Sequence, residues 1–262
     1  MRFTDIVYRK ADGIAWLTIN RPEVYNAVRG KTSDEMVEAL QDAAADAAIR
    51  AVVINGAGPN AFSSGRDQGQ ERMTAAYEGT SEVRYFDLIR SMPQPVIAMV
   101  DGYAIGSGNI LAYMCDFTIC SDRSRFGQTG PRVGSPATGY FVSYLQRVVG
   151  EKRAREIWML CRQYSAQEAL EMGLVNAVVP AAELEAEVQR WCEEIREVSP
   201  RILQLQKLSF NEAYDYMRGP APAQRYAPDY QKSDEAEERR LAFLQRRKPD
   251  PAKNLPYLEL QS

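Results

Sequence analysis

The chain reads as an α/β protein, with three observations behind that assignment. Short apolar strands alternate with amphipathic helices through residues 3–120. Two glycine-rich turns each follow one of those strands. Beyond Gly150 the pattern changes to helix after helix. Strand, loop and helix repeated in this way predict parallel βα units. The expected organisation is a core over 1–200 and a helical region over 201–262.

Residues 3–8 and 14–19 read as strands joined through Asp12-Gly13, a hairpin signal. Thr32-Ser33-Asp34-Glu35 offers a capping box, with Met36, Val37, Leu40 and Ala44 on one helical face behind it. Ala51-Val52-Val53-Ile54 is a short buried strand ending at Gly56 and Gly58. A helix is expected over 80–92, a strand over 95–100, a helix over 107–115 and a strand over 117–120. Helices follow at 151–161, 166–173, 182–198 and 200–214, then a strongly charged one at 231–246 after a proline-containing loop. The segment from Pro249 onward is interrupted by prolines and orders only if something holds it.

Composition narrows the chemistry. The 262 residues are 45% hydrophobic and 26% charged, as in an ordinary globular protein. A net charge of −3 without a basic block argues against nucleic acid as a partner. No apolar run reaches the roughly 20 residues that span a bilayer, and the first residues lack a signal core. A cytoplasmic protein is expected. Cys115, Cys120, Cys161 and Cys192 lie in apolar surroundings and read as buried reduced thiols rather than disulfides or a metal site. The chain has no histidine, which removes Ser-His-Asp and Cys-His catalysis and His-ligated zinc. Proton transfer falls to Asp, Glu, Tyr, Lys, water or a bound anion.

The first glycine turn is Ala61-Phe62-Ser63-Ser64-Gly65-Arg66-Asp67-Gln68, and the second is Gly102-Tyr103-Ala104-Ile105-Gly106-Ser107-Gly108. A helix N-terminus leaves N–H groups unpaired and carries partial positive charge, which suits an anion or a developing oxyanion. Such turns also serve only to shape loops. Two of them, each behind a buried strand in one core, favour a ligand.

These residues resemble a family. Asn20-Arg21-Pro22 with Asn26-Ala27, Ser64-Gly65-Arg66-Asp67, the second glycine turn, Phe126-Gly127-Gln128 and Ala169-Leu170-Glu171-Met172-Gly173-Leu174-Val175 follow the crotonase (enoyl-CoA hydratase) pattern in order and spacing. The likeness covers residues 3–248 and implies a ββα spiral core. It implies that the backbone N–H groups of Arg66 and Ser107 form an oxyanion hole. It also implies that coenzyme A, as part of the substrate, lies near Val24, Ala27, Arg29, Ser64, Asp67 and Gln68, with no tightly bound cofactor and no metal. Homotrimers, often paired into hexamers, are the family's assembly. Leu241, Phe243 and Leu244 in the charged helix suit docking on a neighbour, or on their own subunit.

Hydratases of this family use two glutamates, and Ile110 and Gly130 stand at those positions. Neither can move a proton. A closer likeness is to 1,4-dihydroxy-2-naphthoyl-CoA synthase and 2-ketocyclohexanecarboxyl-CoA hydrolase, through Phe126–Ser135 and Ala154–Tyr164. The segments Asn26–Thr32, Ser209–Asn211 and Arg246–Pro249 lean towards the hydrolase. By that resemblance Gln128, Thr129, Gly130 and Trp158 would bind bicarbonate as a surrogate base, although Trp158 also fits an apolar helix face. Two departures stand out. Ala137 occupies the position of the relatives' acid/base aspartate, and Arg66 replaces a small residue. Arg66 either meets solvent or a nearby acid, or contacts a second carboxylate or carbonyl of the substrate.

The remaining proton carriers are Tyr77, Tyr140, Ser135 and Tyr257, with Glu71 and Arg72 nearby in sequence. Tyr77 follows Asp67 by ten residues, the spacing of a catalytic tyrosine in naphthoate synthases. The expected activity is ring opening of a cyclic β-keto acyl-CoA by cleavage of a carbon–carbon bond. A cyclase, a non-catalytic acyl-CoA-binding relative and an enoyl-CoA hydratase are the alternatives.

Overall fold

The computed structural model describes residues 3–69, 81–135, 140–212, 229 and 232–253, with the backbone alone for 81–83 and Tyr140. The chain opens with β1 (Ile6–Ala11), β2 (Ile14–Ile19), α1 (Gly30–Ala45), β3 (Ala51–Gly56) and β4 (Ala61–Ser63). It continues through α2 (Ser81–Ser91), β5 (Val96–Val100), β6 (Tyr103–Ile105), α3 (Ser107–Met114), β7 (Phe117–Ser121) and β8 (Arg125–Gly127). Then come α4 (Tyr140–Val149), α5 (Glu151–Leu160), β9 (Gln163–Ser165), α6 (Ala166–Glu171) and β10 (Ala177–Val179). Finally α7 (Leu184–Glu197), α8 (Pro200–Glu212) and α9 (Asp234–Leu244) follow.

Six strands form one sheet in the order β1-β2-β3-β5-β7-β10, and β4-β6-β8-β9 form a second. The β1–β2 and β8–β9 pairs are antiparallel, and the other pairs are parallel. The two mixed sheets with helices packed on them give the α/β class that the sequence predicts. Alternate residues of the large sheet face opposite ways. Leu17, Val52, Ile54, Ala98 and Val100 pack under α1, α2 and α3, while Trp16, Val53, Ile97 and Ile119 meet Leu184, Val188 and Cys192 of α7. The four cysteines are free and buried, as their apolar surroundings suggested. Among the described residues no helix is long and apolar enough to cross a membrane.

Several boundaries move for physical reasons. The first strand begins at Ile6 rather than at residue 3 because the Glu35 carboxylate accepts the backbone N–H groups of Thr4, Asp5 and Ile6, at 3.1, 2.8 and 3.2 Å. The same contact corrects the expected capping box. Helix α1 begins at Gly30, so Thr32 lies inside its first turn. There its hydroxyl accepts from the Arg29 amide (3.3 Å) and donates to Asp5 (2.7 Å).

Helix α8 is latched to the sheet by a buried lysine. Lys207 Nζ donates to the Gln94 carbonyl (2.9 Å) and to Asp116 Oδ2 (2.6 Å). Asp116 also receives the Val96 amide (2.8 Å), which ties the start of β5 into the same contact. Helix α9 is capped by the Ser233 hydroxyl, which accepts from the Ala236 amide at 3.2 Å. It turns Ala236 and Ala242 inward against its own subunit, leaving Leu241 half-buried and Phe243 and Leu244 exposed.

Candidate active site

The two glycine turns meet. Gly65 has φ of +93° and presses so closely on the second turn that an added Cβ would lie 2.6 Å from the Ile105 carbonyl oxygen and 3.0 Å from the Ser107 nitrogen. Only glycine satisfies both the dihedral and the approach. A Cβ on Gly106 would lie 3.6 Å from Thr129 Oγ1, 3.9 Å from the Ser64 carbonyl oxygen and 4.0 Å from Gly65 Cα. Three loops from distant parts of the sequence thus share one small volume. The strands of the second sheet bring them there: β4 delivers the first turn, β6 the second, and β8 the segment from Gln128.

Backbone pairing orients the first turn. The Val28 amide donates to the Gly65 carbonyl (2.7 Å), and the Asp67 amide donates to the Val28 carbonyl (2.9 Å), around a parallel bridge from Val28 to Arg66. In such a bridge the middle residue's own N–H and C=O face away from the partner segment. The Arg66 amide is therefore turned off the Val28 side. Ser107 is the first residue of α3, where a helix amide has no intrahelical acceptor.

The residues expected to meet coenzyme A line one edge of this turn. The Ser64 hydroxyl donates to the Val24 carbonyl (3.3 Å), and the Ser64 amide to the Tyr25 carbonyl (2.9 Å). Ala27 is buried beneath and accepts a 2.5 Å bond from Arg21 Nη1. Gln68 Nε2 bonds back to the Arg66 carbonyl (3.3 Å). Arg29 is engaged inside the chain, its Nε and Nη2 gripping Asp5 at 2.6 and 2.7 Å. Its guanidinium already has a carboxylate partner, and with 34% of the side chain exposed it still reaches solvent.

On the other edge, a 3-10 turn at Gly130–Val133 carries Ser135 back, its amide bonded to the Gly130 carbonyl (2.9 Å). A Cβ on Gly130 would lie 3.6 Å from Ser135 Cβ and 3.7 Å from Trp158 Cζ3, so Gly130, Ser135 and Trp158 form one cluster next to Thr129. Gln128 Nε2 and Trp158 Nε1 are buried with no hydrogen-bond partner among the described residues. Buried N–H donors in native structures find an acceptor, and for these two none of the described residues supplies it. Tyr77, Glu71, Arg72, Ala137 and Tyr257 lie outside the described residues, and Tyr140 is placed by its backbone alone, at the start of α4.

Sequence reasoning missed four contributors. Arg21 bridges Asp67 and Asp5, and Asn26 is fully buried with its amide tied to the Ala57 and Ala61 carbonyls (2.9 and 2.7 Å). Both stand in the motifs that carried the family likeness, which was the available signal. Asn109, in the first turn of α3, is buried with both side-chain amide atoms unpartnered among the described residues. Arg240 of α9 reaches the Gln68 carbonyl (3.3 Å), which no local pattern announces.

Residues 9–253 match the family model for enoyl-CoA hydratase/isomerase. The chain belongs to this family, the crotonases. It is similar over 95% of its length to an enoyl-CoA hydratase from Mycobacterium avium subsp. paratuberculosis K-10, at 30% identity, with 99% of that chain covered and a TM-score of 0.82. An enoyl-CoA hydratase/carnithine racemase from Magnetospirillum magneticum matches at 27% identity, covering 95% of this chain and 96% of that one, with a TM-score of 0.76. A methylmalonyl-CoA decarboxylase superposes with a TM-score of 0.87 at 24% identity, over 95% and 98% of the two chains, which is a likeness of fold. Within this crotonase, the two glycine turns meet where β4 and β6 of the second sheet run side by side.

Proposed function

We propose that this crotonase is an acyl-CoA enzyme that opens the ring of a cyclic β-keto acyl-CoA by hydrolysing a carbon–carbon bond. The observation that supports the reading is the close approach of Gly65 to Ser107, where an added Cβ would lie 3.0 Å from the Ser107 nitrogen; in this reading the amides of Arg66 and Ser107 face one thioester oxygen. That oxygen would receive both N–H groups. Water adds to the ring ketone, and the bond between the ketone carbon and the α-carbon breaks. Its electron pair passes into the thioester, whose enolate oxygen is held by the two amides. The α-carbon then takes a proton, leaving a dicarboxylic acid with one end still a CoA thioester. Each amide donor of this kind typically contributes about 3 kcal/mol to the barrier lowering.

The proton delivered to the enolate comes from Tyr77 or Tyr140 in this reading. An ordinary tyrosine, with a pKa near 10, gives up a proton to an enolate more readily than it removes one from water. With Ala137 in place of an acid, a base must come from elsewhere. Bicarbonate, held by Gln128, Thr129, Gly130 and Trp158, would supply it. Ser135 orients water beside that group. Val24, Ala27, Ser64, Asp67 and Gln68 cradle the pantetheine and nucleotide, and Arg66 contributes a cation at the pocket mouth. Residues 201–262 serve as lid and assembly region for a core formed by 1–200, in a homotrimer or a pair of trimers.

The resemblance of Phe126–Ser135 and Ala154–Tyr164 to the ring-opening hydrolase and the naphthoyl-CoA synthase supports this choice. Incubation with 2-ketocyclohexanecarboxyl-CoA, followed by mass spectrometry, should give the ring-opened product with one added water. Recovery of intact substrate would refute the hydrolase, and tight binding without turnover across acyl-CoA esters would favour a binding protein. The hydratase relatives favour a second reading, addition of water to an enoyl-CoA. Ile110 and Gly130 offer no proton carrier for that reaction. Rapid loss of the crotonyl-CoA double-bond absorbance would establish it instead.

A further inference from the structure

We infer that Arg21 is a positioning residue, clamping the first glycine turn so that the Arg66 amide stays aimed at the thioester oxygen; this rests on the two-amide reading above. The side chain is only 11% exposed, and each of its ends is held. Nη2 donates to Asp67 Oδ2 at 3.0 Å, Nη1 to the Ala27 carbonyl at 2.5 Å, and Nε lies 3.7 Å from Asp5 Oδ2. The Arg21 backbone is fixed as well, its amide donating to Asn26 Oδ1 (3.0 Å) and its carbonyl accepting from the amides of Val24 and Asn26. The guanidinium therefore sits on an immobile base and reaches the residue next to Arg66.

Three restraints then act on one peptide. The bridge to Val28 fixes the turn along one edge, and Gly65 rests on the second turn below. Arg21 restrains Asp67 from the third side, and Asp67 also closes a local turn by accepting the Gly69 amide (3.0 Å). The planar guanidinium serves several acceptors at once, which an ammonium group cannot reproduce. Asp5 keeps Arg29 as its partner when Arg21 is changed, whereas Asp67 has Arg21 as its only ion-pair partner among the described residues. Loss of Arg21 thus falls on the Arg66 turn rather than on the N-terminal strand.

The test uses butyryl-CoA labelled with carbon-13 at the thioester carbonyl, bound to the full chain and followed by infrared difference spectroscopy. In the wild type the carbonyl stretch should fall below its value in water. In Arg21→Gln the downshift should shrink by about half or more, with the dissociation constant changed less than about threefold, since donor alignment and not overall binding is lost. Arg21→Lys should be intermediate. If Arg21→Gln does not fold, Asp67→Asn removes the same ion pair at equal volume and should show the same loss of downshift, read at saturating butyryl-CoA because Asp67 also stands in the coenzyme cradle. Ser107→Pro deletes the other amide at a position where proline suits a helix. A full downshift in Arg21→Gln or Asp67→Asn, with the downshift reduced by about half or more in Ser107→Pro, overturns the clamp and leaves the two-amide reading standing. No downshift in the wild type overturns both.

Discussion

Gly134 lies directly beneath Ala236, so close that a Cβ on the glycine would stand 2.6 Å from the Ala236 carbonyl oxygen. The C-terminal helix is thus seated on the turn that follows Gly130, while Arg240, one turn further along, bonds to the loop that follows Arg66. One helix touches both walls of the candidate site. Gly134 also has φ of +75°, which a branched residue resists. Gly134→Val should unseat α9, costing about 2 kcal/mol or more through strain and overlap. Limited trypsin digestion should then cut after Arg239 or Arg240 well before the core is attacked. Equal protection in wild type and variant would show that the contact does not hold the helix.

The N-terminal ion network makes an acid-stability prediction. Asp5 is lowered from 3.8 to about 2, first by its hydrogen bond from Arg29, with Thr32 and the charges of Arg29 and Arg21 adding to it against burial. A carboxyl group lowered on folding stabilises the protein above its unfolded pKa and loses that effect as the pH falls through the folded value. The contribution, on the order of 2 kcal/mol, should be complete above pH 4 and vanish towards pH 2. Asp5→Asn should flatten this part of the pH dependence in denaturant titrations. An unchanged slope would place the acid sensitivity elsewhere.

The two buried donors at Gln128 and Trp158 should give a bicarbonate response. Removing dissolved carbonate should lower turnover, and restoring it should recover the rate. Trp158→Phe keeps the aromatic packing and deletes the N–H, so the response should weaken by about tenfold or more, the loss expected for a charged hydrogen bond. Turnover indifferent to bicarbonate would leave those donors with a structural role only.

Arg66→Gly separates main chain from side chain. The amide at 66 survives, so kcat should stay within about tenfold of the wild type if the backbone donor is what counts. An increase in KM would assign the lost side chain to substrate binding. A collapse of kcat with unchanged KM would mean that the guanidinium, not the amide, meets the transition state.

Much of this architecture was legible in the chain. The buried strands at 51–54, 95–100 and 117–120 announced themselves by apolar runs, and the glycine turns behind them marked where backbones approach. The second sheet was not legible, and neither was the edge strand β10 of the first, because β4, β6, β8, β9 and β10 are three residues each and sit inside loops. Such strands are defined by partners distant in sequence, not by their own periodicity. Helix α1 begins early for a similar reason, since Glu35 serves β1 rather than its own helix end. The Arg21–Asp67 pair spans 46 positions, and nothing local to either residue reveals the other.

The most direct measurement is a crystal structure with a non-hydrolysable acyl-CoA analogue bound. Its thioester oxygen, or the atom replacing it, should lie at about 2.7–3.1 Å from the backbone nitrogens of both Arg66 and Ser107. An acyl group whose oxygen points away from the gap between the glycine turns, or contacts only one of the two amides, would contradict the two-amide reading.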